Sequence, residues 1–435
     1  MSYPYSLFVN LLARAIAAGR IDRSSTSDRI AKMVGYRHRW IGTLVDRLMT
    51  QFPGCRPRTI AIVDFLLRDA SLKRAFLARR KKPIEIVQPL VRPMMVPVPA
   101  LRACRVPALT RIDALADWLG VRQGELEWFA DRWSRNANRP VSSQHYHYRF
   151  FETENGGVRL IEAVKPRLKE MQRRILKEIL DRVPSHDAAH GFRPGRSVKT
   201  FVEPHIGQSV VVRLDLQQFF PTIRAHRVHA VYRAIGYPDF IADYLTGLCV
   251  NATPWSVWQG TSLRDNDPIR WLYSDRHLPQ GAPTSPALAN LVAFQLDRRL
   301  AALAGKSGWE YTRYADDLAF SGSRSLARPP FLQLVEEIVR DEGFRIHPRK
   351  TRIMRESTRQ KLTGLIINNK ANIPRRQFDE LKAILTNCLR SDPQSQNREA
   401  RPDFRSHLAG RIGYVEMINP RRGKRLRELF EKIQW

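Results

Sequence analysis

Cysteine is nearly absent from this sequence. The four in 435 residues, Cys55, Cys104, Cys249 and Cys388, stand far apart with no C-x-x-C pair, which excludes a zinc ribbon or a disulfide framework and suits a reduced, cytoplasmic setting. No apolar run approaches the ~18 residues that span a bilayer, and the first residues lack the charged region, apolar core and cleavage site of a signal peptide. A soluble chain with no membrane partner is expected. Acidic residues are the next shortage: 42 Asp and Glu face 73 Lys and Arg, a net charge of +31, which is far more cation than solubility requires. An acidic polymer is the implied partner. Internal repeats and long low-complexity tracts are missing too. What is present, 43% apolar and 26% charged residues, is an ordinary globular composition. At roughly 150 residues per domain, the length allows two or three domains.

Apolar residues recur at helical spacing from Tyr5 to Ala18 (Leu7, Leu11, Leu12, Ile16), with Gly19 as the stop. A second helix is expected from Thr59 to Arg80, running into the basic cluster Arg79, Arg80, Lys81 and Lys82. Prolines at 83, 89, 93, 97, 99 and 107 impose extended backbone, a semi-rigid linker. Residues 113–120 and 121–130 then read as two short helices broken at Gly120, with Trp118 and Trp128 as their core. Near Val141 the pattern changes. Tyr146 to Glu162 alternates around Asn155-Gly-Gly157, a hairpin signal, and Lys165 to Asp181 is a helix. Short strands and helices alternate to about residue 370, and the remainder is helical and basic.

Three carboxylates carry the chemistry. Val210-Val-Val-Arg-Leu214 is a β-branched run, hence a buried strand, and it delivers Asp215 at its end. Trp309 to Tyr314 reads as a strand, Ala315-Asp316-Asp317 as a tight turn and Leu318 to Ser321 as the returning strand. If the first strand lies beside this hairpin, three acids meet at one sheet end, where they repel unless a cation neutralises them. Hard oxygen ligands suit Mg²⁺, whose shell is completed by water and substrate phosphates. Two such ions roughly 3.5–4 Å apart stabilise both the attacking and the leaving oxygen of a phosphoryl transfer. Leu278-Pro-Gln-Gly-Ala-Pro-Thr-Ser-Pro286 adds a glycine permitting close approach and an amide at Gln280, before a helix from Ala287 to Leu303.

In this order, Asp215-Leu-Gln-Gln-Phe-Phe220, Leu278-Pro-Gln-Gly281 with Ser285-Pro286, and Tyr314-Ala-Asp-Asp317 resemble the signature blocks of reverse transcriptases. The resemblance is to the retron and group II intron branch and extends from Tyr146 to the C-terminus. Retron-like features are Ala189-His-Gly-Phe-Arg-Pro-Gly-Arg-Ser197 followed by Glu203-Pro-His205, Lys361-Leu-Thr-Gly-Leu365 at the V-T-G block, and Gly410-Arg-Ile-Gly-Tyr414 with Ile418-Asn-Pro420 in the thumb. Two departures stand out: Phe201-Val-Glu-Pro-His205 keeps only the histidine of the Asn-Ala-x-x-His element, and Leu362 replaces the valine of V-T-G.

The resemblance implies an α+β right-hand polymerase with an antiparallel palm sheet. Its parts are a helical extension with the proline-rich linker over 1–140, fingers over 141–209, palm over 210–370 with part of the fingers and an insertion at 251–277, and a basic helical thumb over 371–435. It implies that Asp215 and Asp316 ligate two Mg²⁺ ions, with Leu216 in the metal set and Asp317 in support, and that deoxynucleoside triphosphates are the substrates. Phe220 becomes the steric gate against a ribose 2′-hydroxyl, the group that distinguishes RNA from DNA. Gln280 and Gly281 touch the nucleotide, Arg159 grips the triphosphate with its planar fork, and Lys165 and Arg196 assist. Lys350, in Arg345-Ile-His-Pro-Arg-Lys-Thr351, protonates departing pyrophosphate, although His347 replaces the usual asparagine. Arg421, Arg422, Lys424, Arg425 and Arg427 track product duplex phosphates. Trp255, Trp258 and Trp271 either stack on unpaired RNA or pack the insertion. The expected partners are a cognate structured noncoding RNA, the RNA–DNA hybrid product and an effector protein acting in antiphage defence. The competing readings are a group II intron maturase and a catalytically idle nucleic-acid-binding protein.

Overall fold

The computed structural model describes residues 4–54, 56–77, 86–87, 92–133, 135, 139–152, 158–259, 261, 267–323 and 329–435. The basic run Arg79–Lys82 and the Asn155-Gly156-Gly157 turn lie outside the described residues. The chain forms two compact units, Met1–Pro184 with Ile223–Leu288, and Ser185–Thr222 with Ala289–Trp435. Among the described residues no helix is long and apolar enough to cross a membrane.

The first unit opens with helices over Tyr5–Ala17, Arg23–Val34, Arg39–Gln51, Thr59–Arg68 and Ala70–Leu77. The single helix expected over 59–80 is broken at Asp69, which leaves the helical region and accepts the N–H of Leu72. Phe8, Leu12, Ile16, Ile30, Leu44, Leu48, Ile62 and Leu66 close a core of their own. The proline-rich segment after it is docked rather than free: Val96 and Val98 donate to the carbonyls of Gly236 and Ala234 at 2.8 and 2.9 Å. The two short helices fall at Ile112–Leu119 and Gln123–Ala130, with Gly120 in the left-handed conformation between them. Trp118 and Trp128 are half-buried rather than core, because each keeps a polar engagement, the indole N–H of Trp118 with Glu178 and the ring of Trp128 under Arg139. Strands β1 (Tyr146–Glu152) and β2 (Val158–Val164) pair antiparallel. On β2, Leu160, Glu162 and Val164 are buried while Arg159 is exposed, the alternation of a half-buried strand.

The second unit holds the main sheet, with strands β3 (Val210–Asp215), β4 (Glu310–Tyr314), β5 (Asp317–Gly322) and β6 (Arg352–Arg355). Their order is β4-β5-β3-β6, all antiparallel. The helix expected over 287–303 is two, Ser285–Val292 and Phe294–Lys306, separated at Ala293. Helices Arg375–Arg390, Phe404–Ile418 and Pro420–Phe430 follow, and Leu381, Leu385, Leu408, Ile412 and Leu426 share one core with Val211 and Ala319 of the sheet. The V-T-G block becomes a two-residue turn with Thr363 at φ 41° and Gly364 at φ 89°, the double left-handed geometry of tight hairpins.

Candidate active site

Asp215 ends β3 directly opposite Asp317 on β5, so register alone brings two acids to the same sheet end. The turn that joins β4 to β5 is Ala315-Asp316; Asp317 is the first residue of the returning strand rather than part of the tip. Ala315 has φ 56°, unusual for a residue with a Cβ. Gly191 makes room for it, since a Cβ there would lie 2.7 Å from the Ala315 nitrogen. The Leu216 N–H donates to the Asp316 carbonyl at 2.9 Å, tying the turn to the end of β3.

Each of the two paired acids meets a cation of the chain. Arg213, two residues before Asp215 and so on the same strand face, donates to both oxygens of Asp317 at 2.8 and 3.1 Å. Lys350 Nζ reaches both oxygens of Asp215 at 3.0 and 3.1 Å. Burial pushes the Asp317 carboxyl up to about 6; the nearby charges of Asp316 and Asp215 push the same way, while Arg213 opposes them. Three crowded carboxylates that still repel are a donor set suited to a hard divalent cation. Among the described residues, no three His, Cys, Asp or Glu side chains form a ready-made metal cage. Of the backbone groups beside these acids, the Leu216 N–H is committed to Asp316, and the Leu216 side chain is buried.

Behind the turn lies a network that the residue pattern did not reveal. Arg313 and Asp297 are fully buried and joined by two bonds of 2.8 and 2.7 Å. Arg313 also donates to the Ala315 carbonyl and to Asn290, and Asn290 donates to the Gly191 carbonyl, so one guanidinium fixes both sides of the tight approach. His205 is buried as well. The Thr312 hydroxyl gives its proton to the Phe201 carbonyl and so accepts from His205 Nε2–H at 2.7 Å, leaving Nδ1 to accept from Ser321 at 2.6 Å. Burial holds this imidazole neutral, down to about 3. His205 thus braces β4 and β5 and, being fully buried, has no surface to offer a ligand.

Phe219 and Phe220 sit in a helical turn, Phe219–Thr222. Phe219 packs on Phe344 in the core, while Phe220 is half-buried with its ring 6.3 Å from Phe192. Arg196 is a surface residue 4.0 Å from Asp187. In the first unit, Arg159 is exposed on β2 and Lys165 donates to the Ser142 carbonyl at 2.8 Å. Gln280 accepts through its carbonyl from the Glu162 N–H at 2.8 Å, and Gly281 has φ 126°. The three tryptophans divide: Trp258 is buried on Phe150 and Tyr273, while Trp255 and Trp271 are 43% and 64% exposed. Of the basic residues in the last helix, Arg427 is engaged by Glu416 and Arg422 lies over Phe378.

Residues 151–367 match the family model for reverse transcriptase (RNA-dependent DNA polymerase). The retron Mx65 reverse transcriptase of Myxococcus xanthus is 38% identical over 314 residues, 72% of this chain and 70% of that protein. The retron Mx162 enzyme of the same organism is 36% identical, covering 74% of this chain and 67% of its own. The retron Ec86 reverse transcriptase of Escherichia coli is 30% identical over 66% of this chain and 82% of that protein.

Proposed function

The chain belongs to the retron reverse transcriptases and is an RNA-directed DNA polymerase, and from that premise we propose that it copies one cognate structured RNA from a 2′-hydroxyl primer within that RNA. The product is a branched RNA–DNA molecule, made in the cytoplasm and working with an effector protein in antiphage defence. The identity to retron enzymes over 72% of the chain carries this reading. The divisions at 1–140, 141–209, 210–370 and 371–435 are the corresponding extension, fingers, palm and thumb.

In the second unit, Asp215, Asp316 and the Leu216 carbonyl would hold two Mg²⁺ ions. Bound there, the ions supply charge stabilisation for the attacking and leaving oxygens. Asp317, locked by Arg213, keeps the strand ends in register. Lys350 lies against Asp215, and its ammonium carries the proton that leaving pyrophosphate requires. Phe220, turned out of the core that Phe219 fills, screens the sugar 2′ position. In the first unit, Arg159 and Lys165 serve the triphosphate, and Gln280 with Gly281 serves the nucleotide; Arg196 is a phosphate contact in the second.

Material isolated from the native host tests the reading. It should contain one small RNA covalently joined to a short DNA, and RNase should leave a discrete DNA carrying a few ribonucleotides. A long intron RNA would place the enzyme with the maturases. Heterogeneous RNA with no DNA would overturn polymerase function.

A further inference from the structure

Glu162 is a fully buried carboxylate to which the polymerase chemistry assigns no task. It accepts from Asn251 Nδ2 at 2.7 Å, Thr253 Oγ1 at 2.8 Å and His277 Nε2 at 2.9 Å. His277, also fully buried, directs Nδ1 at the Asp275 carbonyl at 2.7 Å. Both ring nitrogens face oxygen atoms, so the ring bridges the carboxylate and the backbone. Burial alone would raise the Glu162 carboxyl, but the His277 charge and three donated bonds keep it below its ordinary value.

The place of this pair matters more than its charge. Glu162 lies three residues after Arg159 on β2, facing inward where Arg159 faces out. Its backbone N–H holds the Gln280 carbonyl, and its own carbonyl lies so near Gly281 that a Cβ there would approach it to 3.1 Å and Ile161 Cγ2 to 3.2 Å. His277 immediately precedes Leu278, whose N–H is fixed by the Ile223 carbonyl at 3.0 Å. The loop after it is closed by Ser285 Oγ donating to the Pro279 carbonyl at 2.7 Å. The strand carrying Arg159 and the loop carrying Gln280 are thus joined through one buried residue.

We infer that Glu162 and His277 are positioning residues that set the geometry of the nucleotide-binding loop against the finger strand. The inference rests on the reading that Gln280 meets the incoming nucleotide. Hydrogen bonding, not net charge, does the holding. Glu162→Gln can keep every bond: its carbonyl accepts from Asn251 and Thr253, and its amide donates to a His277 that is neutral and protonated only on Nδ1.

The test is steady-state extension of an annealed DNA primer on an RNA template by the full chain, varying deoxynucleotide. Glu162→Ala should raise the nucleotide KM about ten-fold, with kcat within about three-fold of wild type. Glu162→Gln should stay within about two-fold on both. An unchanged KM in Glu162→Ala overturns the inference, as does a Gln variant as impaired as Ala. Should Glu162→Ala fail to fold, Thr253→Val removes one donor at constant volume and should raise KM about three-fold; no rise overturns the inference equally. Gln280→Ala separates the two levels. If it leaves KM unchanged, the nucleotide reading of the loop falls and this inference with it. If it raises KM while Glu162→Ala does not, only the positioning role falls.

Discussion

The sheet end and the space behind it use the same side chain for opposite purposes. Asp215 faces a cation that water also reaches: the Lys350 side chain is 42% exposed. Asp297, behind the turn, faces Arg313 with both side chains at 0%. A carboxylate whose counter-ion is solvated and flexible can exchange it for a metal. One held on both oxygens by a buried guanidinium cannot, because separating the pair would leave a bare charge in a low-dielectric interior. Exchangeability of the counter-ion, rather than possession of an acid, divides chemistry from scaffold.

The division breaks if the two kinds of acid respond alike to neutralisation. Asp316→Asn preserves volume and should lower primer extension by on the order of 10³-fold or more, the scale of a lost metal ligand worth several kcal/mol. Its unfolding midpoint and RNA affinity should match wild type. Retained extension at ordinary Mg²⁺ would overturn the proposal that Asp316 is a metal ligand.

Asp297→Asn should show the reverse. It strands the buried Arg313 charge, and breaking such a pair costs about 3–5 kcal/mol, so urea unfolding should shift by that much. Activity per folded molecule should fall far less than in Asp316→Asn. A variant as stable as wild type would mean that Arg313 finds another partner and that the Ala315 turn does not depend on Asp297.

This contrast also explains what was legible beforehand. Asp215, Asp316 and Asp317 stand out because acids at strand ends and turns oppose packing, and the antiparallel sheet that joins them follows from β-branched runs and a hairpin. Arg213 was within reach, since strand parity places it on the face of Asp215. Asp297, Asn290 and Gly191 were not. They lie on other elements, and only tertiary folding brings them to Arg313; an Arg inside a strand is indistinguishable in sequence from one on its solvent face. Helix breaks at Asp69 and Ala293 were missed as well: neither residue is a strong breaker, and Asp69 acts by accepting the Leu72 N–H that opens the next helix. The helical turn at Phe219–Thr222 sends one ring into the core and leaves its neighbour half-buried, a split that a pair of adjacent phenylalanines does not announce in sequence.

The smallest effect concerns His205, which sharpens the contrast by being a buried support with no charge. The folded chain keeps it neutral to about pH 3, whereas an unfolded histidine takes up a proton near pH 6.5. Between these limits the unfolded state binds the extra proton, so stability falls as pH falls, by at most ~1.4 kcal/mol per pH unit from this residue. His190, held down to about 4 mainly by burial, acts in the same direction. His205→Asn retains His190 and the acids but removes one such proton. The variant should be less stable than wild type at pH 7, where two hydrogen bonds are lost, and the gap should narrow steadily between pH 6.5 and 5. Denaturant unfolding of both proteins across that range reads it directly. Parallel pH curves would mean that His205 is protonated in the folded chain and that β4 and β5 are braced by a charge.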